Sequence, residues 1–155
     1  MFYHATRAPI QVGSVITPTF YYANLIGNRD NPDIKPQYLK EMIFEEIRKA
    51  FYNRKPSRLA CNYVMRDYTS IFEYRDKMTH LHDGCIYEVE PANLEDYQIF
   101  DADMTWLDCN HLDRVGIIRC AHLYWAGVHS TFPKWETLCG GDGIRLLNEV
   151  AGPKR

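Results

Sequence analysis

The sequence predicts an α+β domain with strands and helices interspersed along one chain. Three observations carry that expectation. Residues 37–53 repeat apolar side chains at spacings of three and four (Leu39, Met42, Ile43, Ile47, Ala50, Phe51), the signature of an amphipathic helix. Residues 84–90 alternate Cys85, Tyr87 and Val89 with Ile86, Glu88 and Glu90, the period of a strand. The chain has 155 residues, 46% hydrophobic and 25% charged, which is the size and composition of a single domain spanning 1–155.

Taken in order, Phe2-Tyr3 open a strand that meets His4-Ala5-Thr6-Arg7, where polar groups suit contact with a ligand. Pro9 breaks the stretch from Ala8 to Ile10. Val12 to Ile16 gives a turn and a short apolar segment ending at Thr17-Pro18. Residues 19–36 mix aromatics with Gly27, Asn28, Asp30, Pro32 and Pro36 and read as a long loop, with Tyr21, Tyr22 and Asn24 as possible ligand contacts. In the helix at 37–53, Glu41-Glu45 and Arg48-Lys49 fall on the side away from the apolar face, in the order that favours the helix dipole. A strand is expected over 59–65, with Leu59, Cys61, Tyr63 and Met65 on one face. Arg66-Asp67 then turns, and Ser70 with Glu73 has capping-box spacing for a helix of about ten residues that carries Phe72 and Tyr74. Pro91 ends the strand that begins at Gly84. The acidic stretch 95–108 reads as an irregular crossing with a turn. Leu112, Val115, Ile118, His122 and Trp125 favour a helix ending at Gly127, with a strand as the alternative because of the β-branched residues. The last stretch reads as two short strands joined by a hairpin through Gly140-Gly141-Asp142-Gly143.

Several function classes are disfavoured. No apolar run is long enough to span a bilayer, and no signal-peptide pattern opens the chain, so a cytoplasmic protein with no membrane partner is expected. Five scattered cysteines fit reduced thiols in that compartment. Residues 35–58 carry seven Lys/Arg against three Glu, whereas 83–103 carry seven Asp/Glu and no Lys/Arg. The basic stretch is either a phosphate attractor or a solvated helix face. The net charge of −2 gives no case for nucleic-acid binding by charge alone. No metal is expected: His80, His82 and Cys85, or Cys109, His111, Cys120 and His122, lack the paired spacing of a structural zinc site. The glycine run lacks the lysine and following helix of a phosphate loop, and there is no nucleophile elbow.

Three separated pieces remain: His4 with Thr6, Tyr63 with Tyr74, and Glu136. An aromatic slot, a histidine and one carboxylate suit chemistry at a glycosidic carbon, whose transition state is cation-like. Each piece also has a plain structural alternative: Tyr63 as a core aromatic, Tyr74 as part of an amphipathic helix face, Glu136 as a strand-end surface carboxylate.

Tyr3-His4-Ala5-Thr6-Arg7, Leu59-Ala60-Cys61-Asn62-Tyr63-Val64 and Glu136-Thr137-Leu138, in that order, resemble the His-Tyr-Glu type of the ADP-ribosyltransferase superfamily. The opening through Val12 to Pro18 is similar to the small bacterial enzymes that ADP-ribosylate rifamycins. Lys55-Pro56-Ser57-Arg58-Leu59 and Tyr124-Trp125-Ala126-Gly127 resemble uncharacterised bacterial and phage members. The resemblance implies a split antiparallel β-sheet core flanked by helices, NAD+ as donor, and mono-ADP-ribosyl transfer. Its acceptor would be a protein or nucleic acid more readily than a small molecule, and a toxin or phage-encoded effector acting in a host cytoplasm would fit. It implies further that His4 binds the adenosine-side ribose, that the Ala5 backbone and Thr6 hold the nicotinamide amide, that Tyr63 and Tyr74 bracket the ring, and that Glu136 binds the adjoining ribose. Arg7 and Arg58 are the candidate phosphate contacts. Ala5 stands where many members have Gly. Lys134 stands where arginine- or asparagine-modifying members have Gln or Glu, so the acceptor is not named. The related RNA 2'-phosphotransferases, and an inactive nucleotide- or protein-binding module, are the alternatives.

Overall fold

The structure, a computed structural model, describes residues 1–18, 20–78 and 81–153, and only the backbone of residues 20–22. His80 and the side chains of Tyr21 and Tyr22 lie outside the described residues. Among the described residues, seven strands form two antiparallel sheets: β1 (Phe2–Thr6), β4 (Cys85–Pro91), β7 (Ile144–Ala151) and β2 (Val15–Ile16) in the order β1-β4-β7-β2, and β3 (Asn62–Val64), β6 (Trp135–Gly141) and β5 (Tyr97–Asp103) in the order β3-β6-β5. The two are joined at one point. Tyr3 and Met65 exchange both backbone hydrogen bonds, at 2.8 and 2.9 Å, so β1 touches β3 and the strands form one curled surface.

The described residues include four helices: α1 (Phe20–Gly27), α2 (Lys35–Phe51), α3 (Tyr68–Lys77) and α4 (Arg114–Ala126). Phe44 of α2 and Ala121, Tyr124 and Trp125 of α4 pack on the face of the three-stranded sheet that carries Ala102 and Leu138. Ile71 of α3 packs with Ala5, Met65 and Ile86. Between the sheets, Val64 and Cys139 meet Tyr87, Val89, Ile144 and Leu146. The α+β expectation holds at this level.

The expected loop over 19–36 is corrected by α1. Its eight residues, FYYANLIG, are apolar and compact, and the turn-forming residues that suggested a loop all lie at or beyond its end, from Gly27 onward. The acidic stretch is corrected too: Tyr97–Asp103 is strand β5, followed by a 3-10 turn at Met104–Leu107. It shows no apolar alternation because most of its residues are exposed or half-buried; the exposed Asp101 accepts from Arg66 Nε (2.9 Å) and from the Thr137 hydroxyl (2.6 Å). The strand expected at 59–65 begins later, after a 3-10 turn at Arg58–Ala60. Ser70 is not a cap. Asp67 caps α3, accepting from the Ser70 amide at 2.6 Å. The stretch 112–125 is helical, closed by Gly127 in the left-handed region at φ 74°.

The hairpin at the glycine run is also corrected. β6 pairs with β3 and β5, while β7 pairs with β4 and β2, so the run carries the chain from one sheet to the other. Gly143 has φ 128°, and a Cβ there would lie 2.4 Å from the Ile16 carbonyl oxygen, which only glycine tolerates.

Helix α2 differs most from its expected packing. Its buried residues are Lys40, Glu41, Phe44 and Glu45, while Leu39 and Phe51 are 50% and 66% exposed. The basic stretch is only in part a solvated face: Lys35, Lys49 and Arg54 are exposed, while the other cations are held by the fold. Lys40 donates to the Leu107 carbonyl (2.8 Å), Lys55 donates to the Trp125 carbonyl and lies 3.7 Å over the Phe100 ring, and Arg48 pairs with Glu45 at 2.8 Å. Among the described residues no helix is long and apolar enough to cross a membrane.

Candidate functional site

The site grows from the point where β1 leaves β3. In an antiparallel ladder the pair after Tyr3–Met65 to exchange bonds would be Ala5 and Tyr63. The pairing does not continue to them. Instead, His4 Nδ1 donates to the Tyr63 carbonyl at 2.8 Å, taking the acceptor that the Ala5 amide would have used. His4 is a wedge at the split between the sheets. Alternation places the Ala5 N–H and C=O on this same side of β1, towards the stretch of β3 with which it does not pair. Because a carbonyl can only accept, Nδ1 carries a proton in this contact. Burial lowers the His4 pKa, and the Tyr63 carbonyl only partly opposes that.

The Ala5 methyl packs with Met65, Ile71, Leu81 and Ile86, and Tyr74 packs against that same cluster. Thr6 is buried, its hydroxyl donating to the Ala8 carbonyl at 2.8 Å. Arg7 is exposed.

Tyr63, Arg58 and Glu136 gather on the helix-covered face. Tyr63 is the cross-strand partner of Leu138, and Glu136 lies two residues before it, so all three share a side of the sheet. The Tyr63 hydroxyl donates to the Arg58 carbonyl at 2.7 Å. Arg58 is buried. Its Nε and Nη2 hold the two oxygens of Glu41 at 3.1 and 3.3 Å, and its Nη1 donates to Glu136 Oε1 and lies 2.9 Å from the Tyr124 hydroxyl. The Tyr124 hydroxyl donates to that same Glu136 oxygen at 2.6 Å. Among the described residues, Glu136 Oε2 accepts no hydrogen bond. No buried side-chain nitrogen or oxygen among them lacks a partner, so Oε2 is the atom through which Glu136 reaches the surface.

Electrostatics follow from this packing. Burial pushes the Glu136 pKa up, against the pull of Arg58 and Tyr124. Burial also raises Tyr63 and Tyr124 well above the usual phenol range, and raises Tyr74, on which Glu136 acts as well. For Arg58, burial works against the cation, but the carboxylates of Glu136 and Glu41 outweigh it and keep its pKa well above the ordinary value.

The structure thus brings Tyr63, Arg58 and Glu136 together, with Tyr74 on the neighbouring Ala5 cluster and within electrostatic reach of Glu136. His4 approaches from the other face, because its cross-strand partner Tyr87 packs between the sheets, and it meets Tyr63 only at the backbone. Glu136 is not a surface carboxylate, and Arg58 is an internal cation with no free edge for a phosphate. Lys134 pairs with Asp108 at 3.2 Å on the surface. Two members of the cluster escaped sequence reasoning. Tyr124 stood within a quoted motif but had no assigned role. Glu41 had the helical spacing of a solvated acid, and its only signal was the arginine it would need inside the fold. An apolar depression lined by Pro32, Lys35, Pro36, Leu39, Asn110 and Ile117 shares no residue with this cluster.

Of the suggested metal ligands, His122 Nδ1 lies 3.3 Å from the Tyr52 hydroxyl, and the described residues contain no group of three His, Cys, Asp or Glu placed to hold an ion.

A family described as a protein of unknown function (DUF2441) matches residues 22–150. The match includes Glu41, Arg58, Tyr63, Tyr74, Tyr124 and Glu136 and begins after β1. Comparison with curated proteins finds no match. The chain belongs to the DUF2441 family.

Proposed function

We propose that the protein is a cytoplasmic mono-ADP-ribosyltransferase that takes ADP-ribose from NAD+ and transfers it to a protein or nucleic-acid acceptor. The observation that carries this reading is the position of Tyr74. It packs on the cluster that contains Ala5, whose amide points towards the unpaired stretch of β3, and it lies within electrostatic reach of Glu136. An amide donor, two tyrosine rings and one carboxylate oxygen without a partner are the groups a nicotinamide riboside needs. The Ala5 N–H and C=O match the carboxamide, Tyr63 and Tyr74 match the flat ring, and Glu136 Oε2 matches a ribose hydroxyl. The split pair of antiparallel sheets is what the resemblance to ADP-ribosyltransferases leads one to expect.

In the reaction, the bond between the ribose anomeric carbon and the nicotinamide nitrogen breaks. Its electron pair leaves with neutral nicotinamide. Positive charge develops on the ribose, next to Glu136, and an acceptor nucleophile donates the pair that forms the new bond while its proton passes to solvent. His4 sits on the far face, where it fits contact with the adenosine side. The Arg58 contact to Glu136 favours one second reading, an inactive nucleotide- or partner-binding module, because a paired carboxylate stabilises a developing cation less well. The RNA 2'-phosphotransferase reading loses a candidate phosphate contact with Arg58 buried, leaving Arg7.

Labelled NAD+ incubated with the protein and a cell lysate tests the proposal. Label on macromolecules and release of nicotinamide are expected, with both falling about 100-fold or more in folded Glu136→Gln. Nicotinamide without label would make the protein a glycohydrolase. Absence of NAD+ binding by a folded sample would leave the module reading.

A further inference from the structure

We infer that Glu41, Arg58 and Tyr124 form a positioning device for Glu136, in which Arg58 and Tyr124 hold one carboxylate oxygen and Glu41 limits how far Arg58 neutralises it. The inference rests on reading Glu136 as the carboxylate that meets the ribose.

Three features of the geometry point to it. First, both donors converge on Oε1, the Tyr124 hydroxyl at 2.6 Å and Arg58 Nη1 beside it, so Oε2 keeps a fixed direction with no protein partner among the described residues. A ligand hydroxyl can bind Oε2 while Oε1 stays held, and no reorganisation is needed at the moment of reaction. Second, Arg58 cannot follow Glu136, because its Nε and Nη2 are fixed by the two Glu41 oxygens and its backbone carbonyl by the Tyr63 hydroxyl. Third, one guanidinium serves two buried carboxylates. A single Arg58–Glu136 pair would cancel the charge that a cationic sugar has to feel. Sharing Arg58 with Glu41 leaves Glu136 less fully neutralised than a single pair would. The buried Lys40 donates to the Leu107 carbonyl and acts through space on Glu41, so it offsets charge on the Glu41 side of the cluster.

The groups facing Glu136 are Arg58 from the 3-10 turn, Glu41 from α2, Tyr124 from α4, Tyr74 from α3, and Tyr63 and Cys61 beside β3. Of these, Tyr124 and Arg58 favour the ionised carboxylate, and Glu41 opposes it. Two near-isosteric substitutions should therefore move its titration in opposite directions. Tyr124→Phe removes a donor and shifts it to higher pH. Glu41→Gln removes a like charge and shifts it to lower pH. The opposite signs report the arrangement around the carboxylate, and a matching change in kcat with KM unmoved is what a merely structural role would not produce.

The experiment titrates the Glu136 carboxyl by carbon NMR in the full chain, assigned with Glu136→Gln, and records kcat and KM for NAD+ cleavage across pH. The expected result is the two opposite shifts, mirrored in the acid limb of kcat. Each variant should also lose about tenfold in kcat with KM nearly unchanged. Shifts of one sign, or none, in folded variants overturn the inference. Opposite NMR shifts in a protein that never cleaves NAD+ would support the positioning of the carboxylate and sink the transferase reading instead.

Discussion

At the scale of single residues, His4 shows how one side chain divides a sheet. Its ring fills the place of a ladder bond, and burial favours its neutral form. Its folded pKa is lowered, so the stability it provides is present above the unfolded histidine value of about 6.5 and is lost as pH falls through the lower folded value. Urea midpoints measured between pH 7.5 and 5 should fall on acidification, and His4→Gln should flatten that slope. Asp103 has the opposite visibility. It sits in a stretch that read as irregular, yet its buried carboxylate accepts from the amides of Ser130 (2.7 Å), Thr105 and Lys134 (both 2.9 Å), pinning the segment that leads to Glu136. Burial alone would raise its pKa, but these donors hold it far below the usual carboxylate range. Asp103→Ala should cost about 2–4 kcal/mol at neutral pH. Because the folded pKa is depressed, the deficit should shrink as pH drops below the unfolded value of about 3.9, a trend that urea unfolding can follow. His4, Tyr63 and Glu136 stand out in the sequence as candidates because their residue types suit one chemistry in one order. Glu41, Tyr124 and Asp103 do not, because a buried acid or phenol is defined by partners far away in the chain.

At the scale of elements, periodicity found helices well and misjudged what they bury. Helix α2 lies where the spacing of Leu39 to Phe51 put it, yet it turns Glu41 and Glu45 inward to meet Arg58 and Arg48. A scale that scores acids as solvent-facing cannot see an internal ion-pair face. Helix α1 and strand β5 were missed for other reasons. In one case the breakers lay just outside the element, and in the other most residues are exposed or half-buried, so no apolar alternation marks the strand. The glycine run was recognised as a turn, but its destination was not, since Gly143 is required by the Ile16 carbonyl of a distant strand. That gives a comparison between two glycines with positive φ. Gly127→Ala has open space, its nearest neighbour 4.0 Å away, and should cost about 1 kcal/mol. Gly143→Ala meets backbone at 2.4 Å and should cost about 2–3 kcal/mol. Each kcal/mol lowers Tm by roughly 2–4 °C in a domain of this size, so thermal melts should rank the two clearly.

At the scale of the whole molecule, the class of fold was legible because strand and helix periods alternate along the chain, but the split between sheets was not. It depends on one bridge, Tyr3–Met65, and on a side chain that ends the ladder immediately after it. The unpaired stretch there, with Ala5 in β1 and Tyr63 in β3, is the proposed seat of nicotinamide. Titrating NAD+ into the nitrogen-15-labelled protein tests that claim most directly. Saturable shifts of the Ala5 amide and its neighbours in β1 and β3 are predicted, with the amides around Leu39 and Ile117 unmoved. Millimolar NAD+ that leaves Ala5 in place, or that shifts only the α2–α4 surface, would contradict it.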